Sequence, residues 1–126
     1  IELPDGRIIT AEAGHLLGSS AALLLNAMKE LAGIDHAVRL IPENIIEPIQ
    51  QTKISYLHGQ NPRLHTDEVL VALSVLSLQD ENCRKALDTL PLLKGCQAHS
   101  TVMLKEVDWR TFKKLGIDLT TDPAKK

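Results

Sequence analysis

Asn61-Pro62-Arg63-Leu64-His65-Thr66-Asp67-Glu68 is the densest run of reactive side chains in the chain, and it leads into the most apolar helix. That helix is predicted over Thr66 to Leu78, where Val69, Leu70, Val71, Ala72, Leu73, Val75 and Leu76 leave almost no polar side. A helix apolar nearly all round belongs at the centre of its domain. Its N-terminus sets Thr66 as cap and puts Asp67 and Glu68 in the first turn, where free backbone N–H groups and the positive dipole end favour carboxylates. Acidic first turns are common, so this alone is architecture. The amide of Asn61, the guanidinium of Arg63 and the imidazole of His65 add a crowd that capping does not require. Loops at helix N-termini beside a sheet are where α/β proteins place ligands.

Outward from this stretch, the pattern alternates strands and helices. Ile1 to Leu3 read as a strand end and Pro4-Asp5-Gly6 as a tight turn, from which Arg7 to Thr10 leaves as a short strand. Gly18-Ser19-Ser20 opens a helix whose buried stripe is Ala21, Leu24, Leu25, Met28, Leu31 and Ala32, with Gly33 as its stop. Ala37 to Ile41 is predicted as a strand buried on both faces. Pro42 begins another helix with Ile45, Ile46 and Ile49 inward; Pro48 predicts a kink or break in it, and Ile54 to Leu57 its resumption. Asp80 caps a short helix with Ala86, Leu87 and Leu90 inward. Cys96 to Leu104 is read as a strand, Asp108 as the cap of a helix lined by Trp109, Phe112 and Leu115, and Ile117 to Thr121 as a last strand. Such alternation predicts an α/β layered sheet flanked by helices. Lys125 and Lys126 read as a frayed end.

The chain has 126 residues, 44% of them apolar, enough for one domain with a core. Tyr56, Trp109 and Phe112 are its only aromatics, and its formal net charge is −2 with the basic residues scattered. This argues against a nucleic-acid partner, which needs stacking platforms or a basic stripe. The apolar runs are too short to span a membrane. Two cysteines make no disulfide framework, which fits a reduced, cytoplasmic protein. A chain beginning with Ile1 and a strand end reads as a piece of a longer protein, so the expected partners are that protein's remaining domains, with a second copy of the chain as the other candidate.

Two further segments carry candidate chemistry. Gly95-Cys96-Gln97-Ala98-His99-Ser100-Thr101 combines with His65-x-Asp67 into a weak outline of a zinc deaminase signature, with His65, Cys96 and His99 as metal ligands. The composition predicts a strand, however, and period-two alternation points Cys96 and His99 to opposite faces. Gln97, His99, Thr101 and Met103 then share one face; Cys96, Ala98, Ser100, Val102 and Leu104 share the other. Gly14-x-x-x-Gly18-Ser19-Ser20 resembles an anion cradle at a helix start, without the spacing or the lysine of a Walker loop. His15, His36 and His58 read as surface residues.

Taken together, Gly6-Arg7-Ile8-Ile9-Thr10, Gly18-x-Ser20-Ala21-Ala22, Ile46-Glu47-Pro48-Ile49, the stretch Asn61 to Leu70, Leu93-Lys94-Gly95-Cys96-x-Ala98-His99-Ser100-Thr101 and Phe112-Lys113-Lys114-Leu115-Gly116-Ile117 resemble a bacterial family, domain of unknown function family 1846. The resemblance implies the C-terminal domain of a protein several times longer. It also implies a three-layer α/β/α sandwich with topology similar to cytidine deaminases, although shared topology is only an analogy for function.

Two functional readings follow. In the first the domain is part of an enzyme or a binding site for a small anionic or nucleotide-like ligand, of unknown cofactor. His65, Asp67, Glu68 and His99 are then its candidate catalytic groups, and Asn61, Arg63, Gly18, Ser19, Ser20, Ser100 and Thr101 its candidate binding groups. In the second it is a non-catalytic regulatory or oligomerisation module.

Overall fold

The computed structural model describes residues 1–122, so the Lys125-Lys126 end lies outside the described residues. The elements in chain order are α1 (Ser19–Ala32), α2 (Glu43–Gln51), α3 (Thr66–Leu76), α4 (Glu81–Asp88), β1 (Gln97–Ser100), α5 (Glu106–Lys114) and β2 (Asp118–Thr121). One turn of π-helix, Thr52–Tyr56, continues α2, and a 3-10 turn, Leu90–Leu93, follows α4. The class is α/β, with more helix than the sequence pattern suggests.

β1 and β2 pair in parallel, Gln97 opposite Asp118 and Ser100 opposite Thr121. Parallel neighbours need a crossover, and α5 supplies it. Glu2 bridges Gln97 and Ile8, both in antiparallel sense. The predicted strand Arg7–Thr10 is therefore a single bridge. The strand predicted over Cys96–Leu104 is confined to its first half, because the Ser100 hydroxyl donates to the Val102 carbonyl at 2.8 Å and bends the chain away. These two strands are fewer than a layered sandwich calls for.

The helices hold the core. Ala21, Leu24, Leu25, Ala27 and Met28 of α1, Val69, Ala72 and Leu73 of α3, Cys83 and Ala86 of α4 and Phe112 of α5 are buried together with Leu64, Leu93 and Ala98. α1 ends where Gly33 turns left-handed (φ 69°), and the Ile34 N–H then reaches back to the Lys29 carbonyl at 2.9 Å. α3 is less central than its composition predicts: Val71 and Val75 are 66% and 62% exposed.

Three further expectations are corrected. Ala37–Ile41 is not a strand. Asp35 organises a turn, accepting from the Ala37 N–H at 2.8 Å, and the Lys29 ammonium donates to the carbonyls of His36 and Val38 at 3.0 and 3.1 Å. A lysine thus takes the place of a neighbouring strand. α2 runs through Pro48 unbroken; the carbonyl that would have met its missing N–H belongs to Asn44, which is exposed to water. The irregularity comes later, where the Leu57 N–H bonds the Thr52 carbonyl at 3.0 Å in the wide π pattern. α5 begins at Glu106 with Lys105 as its cap, so Asp108 lies inside the first turn, and its carboxylate is used elsewhere.

Lys29 is buried, and burial pushes its ammonium below the ordinary lysine value while Asp35 works in the opposite direction. Lys29→Met keeps the stem and strands two carbonyls. The expected loss is about 1–3 kcal/mol of stability, read as a lower urea midpoint at unchanged slope. An unchanged midpoint would show that the 34–41 segment does not depend on this ammonium.

Candidate functional site

The central motif folds as a chain of local hydrogen bonds. The Asn61 side chain accepts from the Arg63 N–H at 3.0 Å, an Asx turn. Arg63 donates from its side chain to the Gly14 carbonyl. Leu64 is fully buried and runs beside Leu17 in a parallel bridge: its N–H bonds Leu16 O at 2.9 Å, and its carbonyl accepts from the Gly18 N–H at 3.1 Å. Glu68 reaches back to the His65 N–H at 2.7 Å, as a residue three places into a helix does. The same carboxylate oxygen takes the Lys53 ammonium at 2.8 Å, and that ammonium also donates to Arg63 O at 2.6 Å. Asp67 is exposed and, among the described residues, accepts only from its neighbour's N–H.

Thr66 is fully buried, and both its N–H and its hydroxyl donate to one oxygen of Asp108, at 3.1 and 2.8 Å. The other Asp108 oxygen lies 3.9 Å from His65 Nδ1. Asp108 is 5% exposed, so this carboxylate from the first turn of α5 caps the N-terminus of α3 from inside the domain. Asn61, Arg63 and Glu68 are engaged in holding backbone, and Thr66 in holding the Asp108 carboxylate. The motif is brought together, but around its own chain.

The two other predicted segments meet elsewhere. Ser19 and Ser20 at the start of α1 and His99, Ser100 and Thr101 at the carboxyl end of β1 line one cavity of about 570 Å³. Its apolar wall includes Ile9, Leu23, Leu104 and Phe112. Gly18 caps α1 without a side-chain hydrogen bond, and the first turn holds no acidic residue. The exposed ring of His99 is held at both nitrogens, Nδ1 at 2.7 Å from Thr120 Oγ1 and Nε2 at 3.0 Å from Asp122 Oδ2. A carboxylate only accepts, so in the neutral ring Nε2 carries the proton and Nδ1 accepts from the threonine hydroxyl.

Cys96 is buried and His99 exposed, on the opposite faces that strand alternation requires. His65 lies beside Asp108, at 3.9 Å. The three proposed metal ligands do not converge, and no group of three His, Cys, Asp or Glu among the described residues could hold a metal ion. Burial pushes the Cys96 thiol up and the Cys83 thiol up to about 11, so neither is poised as a nucleophile. No helix among the described residues is long and apolar enough to cross a membrane.

The whole chain, residues 1–126, matches the family described as "Domain of unknown function DUF1846, C-terminal". The chain belongs to this family. It is 54% identical over 124 residues to the UPF0371 protein of Corynebacterium aurimucosum and 44% identical over 123 residues to UPF0371 protein stu1377 of Streptococcus thermophilus. In both comparisons 98% of this chain is covered but 25% of the relative's length, so this family domain spans about a quarter of the curated relatives it matches.

Sequence reading of this family domain missed Asp108 as the partner of Thr66, Lys53 as the partner of Glu68, and Thr120 and Asp122 as the partners of His99. The first two pairs join residues 42 and 15 apart, and no local spacing announces them. The third depends on the parallel register of β1 and β2.

Asp108→Ala leaves a buried N–H and hydroxyl unpaired, and is expected to cost about 2–4 kcal/mol. Thr66→Val costs less, and the double variant loses less than the sum of the two, as partners in one bond do. Additive losses in chemical denaturation would break the proposed pairing.

Proposed function

We propose that the cavity between the start of α1 and the carboxyl end of β1 binds a small ligand with an apolar body and one anionic end. The observation that carries this is the convergence of Ser19 and Ser20 with His99, Ser100 and Thr101 on one cavity of about 570 Å³. A volume of roughly 300–1,000 Å³ is usual for small-molecule sites. Crevices at the carboxyl ends of parallel strands are where α/β proteins bind ligands. The start of α1 offers free N–H groups and the positive end of a helix of 14 residues, with no carboxylate in its first turn to satisfy them.

The lining also limits the ligand. Among the described residues it includes Glu2 and Glu12 and neither lysine nor arginine, so a single anionic group at the α1 end suits it better than a polyphosphate. The Asn61–Glu68 motif supports the site from behind: it holds Leu64 against Leu17 and Gly18, and so sets where α1 begins. In the longer protein, the three-layer sandwich of cytidine deaminase-like topology is proposed as the completed form of this sheet. Parallel strands occur with both faces covered, and β2 has no second strand neighbour among the described residues.

The test is a thermal-shift screen of the full-length protein against small carboxylates, phosphomonoesters and nucleoside monophosphates. A ligand at 100 times its Kd adds about 2.7 kcal/mol of stability. Ser19→Asp is expected to abolish the shift while the ligand-free protein melts no lower, since a first-turn carboxylate contributes about 0.3–1 kcal/mol to a helix. Ser20→Ala, which removes a hydroxyl with no hydrogen-bond partner among the described residues, should weaken binding about tenfold, the worth of one such contact. Absence of any hit, or a hit that survives both substitutions, overturns the reading.

A further inference from the structure

The outer faces of the helices are not alike. α4 turns Glu81, Arg84, Lys85 and Asp88 to solvent, and α5 turns Arg110, Lys113 and Lys114. α3 turns out Val71 and Val75, and the chain continues the stripe with Leu78, 83% exposed. Val71 and Val75 are spaced by four residues, so they fall on one helical face, and Leu78 lies in the turn that follows it. Beside them, α2 contributes Ile45 and Ile49. Together Ile45, Ile49, Val71, Ala72, Val75 and Leu76 line an open groove of about 440 Å³, with Asp67 and Glu68 at its end. α2 and α3 make little direct contact along it.

Contiguous exposed apolar surface of this kind marks an interaction site. A groove between two helices suits an amphipathic helix, which lays its apolar side in by anchors at i, i+3 or i+4, and i+7. The charge at the groove end gives it a direction. Glu68 is paired with Lys53, but among the described residues the exposed Asp67 carboxylate receives only a backbone N–H, so a basic residue on the incoming segment would meet it there. The source of that segment follows from length. This domain spans 25% of its relatives, which leaves about three quarters of those chains outside it. A tethered segment competes at an effective concentration in the millimolar range, which an untethered second copy does not match.

We infer that the groove between α2 and α3 is the seat of an apolar-faced helical segment from the remainder of the same polypeptide, outside residues 1–126. The surface is separate from the proposed ligand cavity, with which it shares no lining residue.

The experiment places the photo-crosslinking amino acid benzoylphenylalanine at Val75 and, separately, at Leu78 of the full-length protein, with Lys85 as the control position. Isotopically light and heavy chains are mixed before irradiation, and crosslinked peptides are mapped by mass spectrometry. The expected result is crosslinking at Val75 and Leu78, within one chain, to a segment outside this domain, and none at Lys85. Crosslinks joining light to heavy chains would overturn the inference in favour of self-association. Crosslinks only within this domain, or none, would overturn it in favour of an open surface. In a second measurement, the paired substitution Val71→Asp and Val75→Asp is expected to speed tryptic cleavage between this domain and the rest about tenfold, since cleavage tracks the opened population. An unchanged rate counts against docking at this face.

Discussion

The bond between Asp108 and Thr66 is the contact on which the arrangement of helices depends. It joins the first turn of α5 to the first turn of α3, across 42 residues, with both residues buried. Hydrogen bonds to a carboxylate contribute about 1.5–3 kcal/mol, and removing one partner in a buried place costs the desolvation of the other as well. Its geometric effect is as large. With the start of α3 held, Leu64 just before it is held too, and Leu64 is the residue whose backbone pairs with Leu16 and Gly18. The start of α1 is therefore set by a carboxylate on α5, through a buried leucine. The crossover that carries this carboxylate is also the one that makes β1 and β2 parallel. One interaction thereby ties the strand pair, the central helix and the wall of the cavity to one another.

What the sequence made legible was whatever its own periodicity encodes. The α1 stripe is an example: Ala21, Leu24, Leu25 and Met28 are buried as a 3.6-residue period requires. The alternation around β1 is another, with Cys96 and Ala98 buried and Gln97 and His99 exposed. Readings that needed a partner from elsewhere in the chain were the ones that changed. Val38, Leu40 and Ile41 are apolar, which suggests a buried strand, yet a strand is defined by its hydrogen-bond partner. Here the partner is the Lys29 side chain, which nothing in residues 37–41 announces. Asp108 looked like a helix cap and is one, but for a helix other than its own.

The same distinction separates the two polar clusters. Density of reactive side chains singled out Asn61 to Glu68, yet its amide, guanidinium and Glu68 carboxylate each meet a backbone or ammonium partner within the fold. A group already satisfied has little left to offer a ligand. The serines at the start of α1 are less conspicuous in sequence, have no hydrogen-bond partner for their hydroxyls among the described residues, and line a cavity. Satisfaction of hydrogen bonds, more than residue type, tells scaffold from site. That test needs coordinates, since the partners of the motif come from Gly14, Lys53 and Asp108, each distant in sequence.

The exposed side of α3 extends this logic to apolar groups. Apolar residues all round a helix predict that it is enclosed, and the prediction concerns the molecule in which the helix works. Within residues 1–122 the enclosure covers Val69, Ala72 and Leu73 but not Val71 or Val75. Helix propensity gives no reason for two valines there, because β-branched side chains are mediocre helix formers and charged ones would serve a wet face better. Elsewhere on its surface the chain does use charged residues, on α4 and α5. The composition of α3 is thus consistent with a helix central to a larger assembly, of which this domain supplies one side of the enclosing shell.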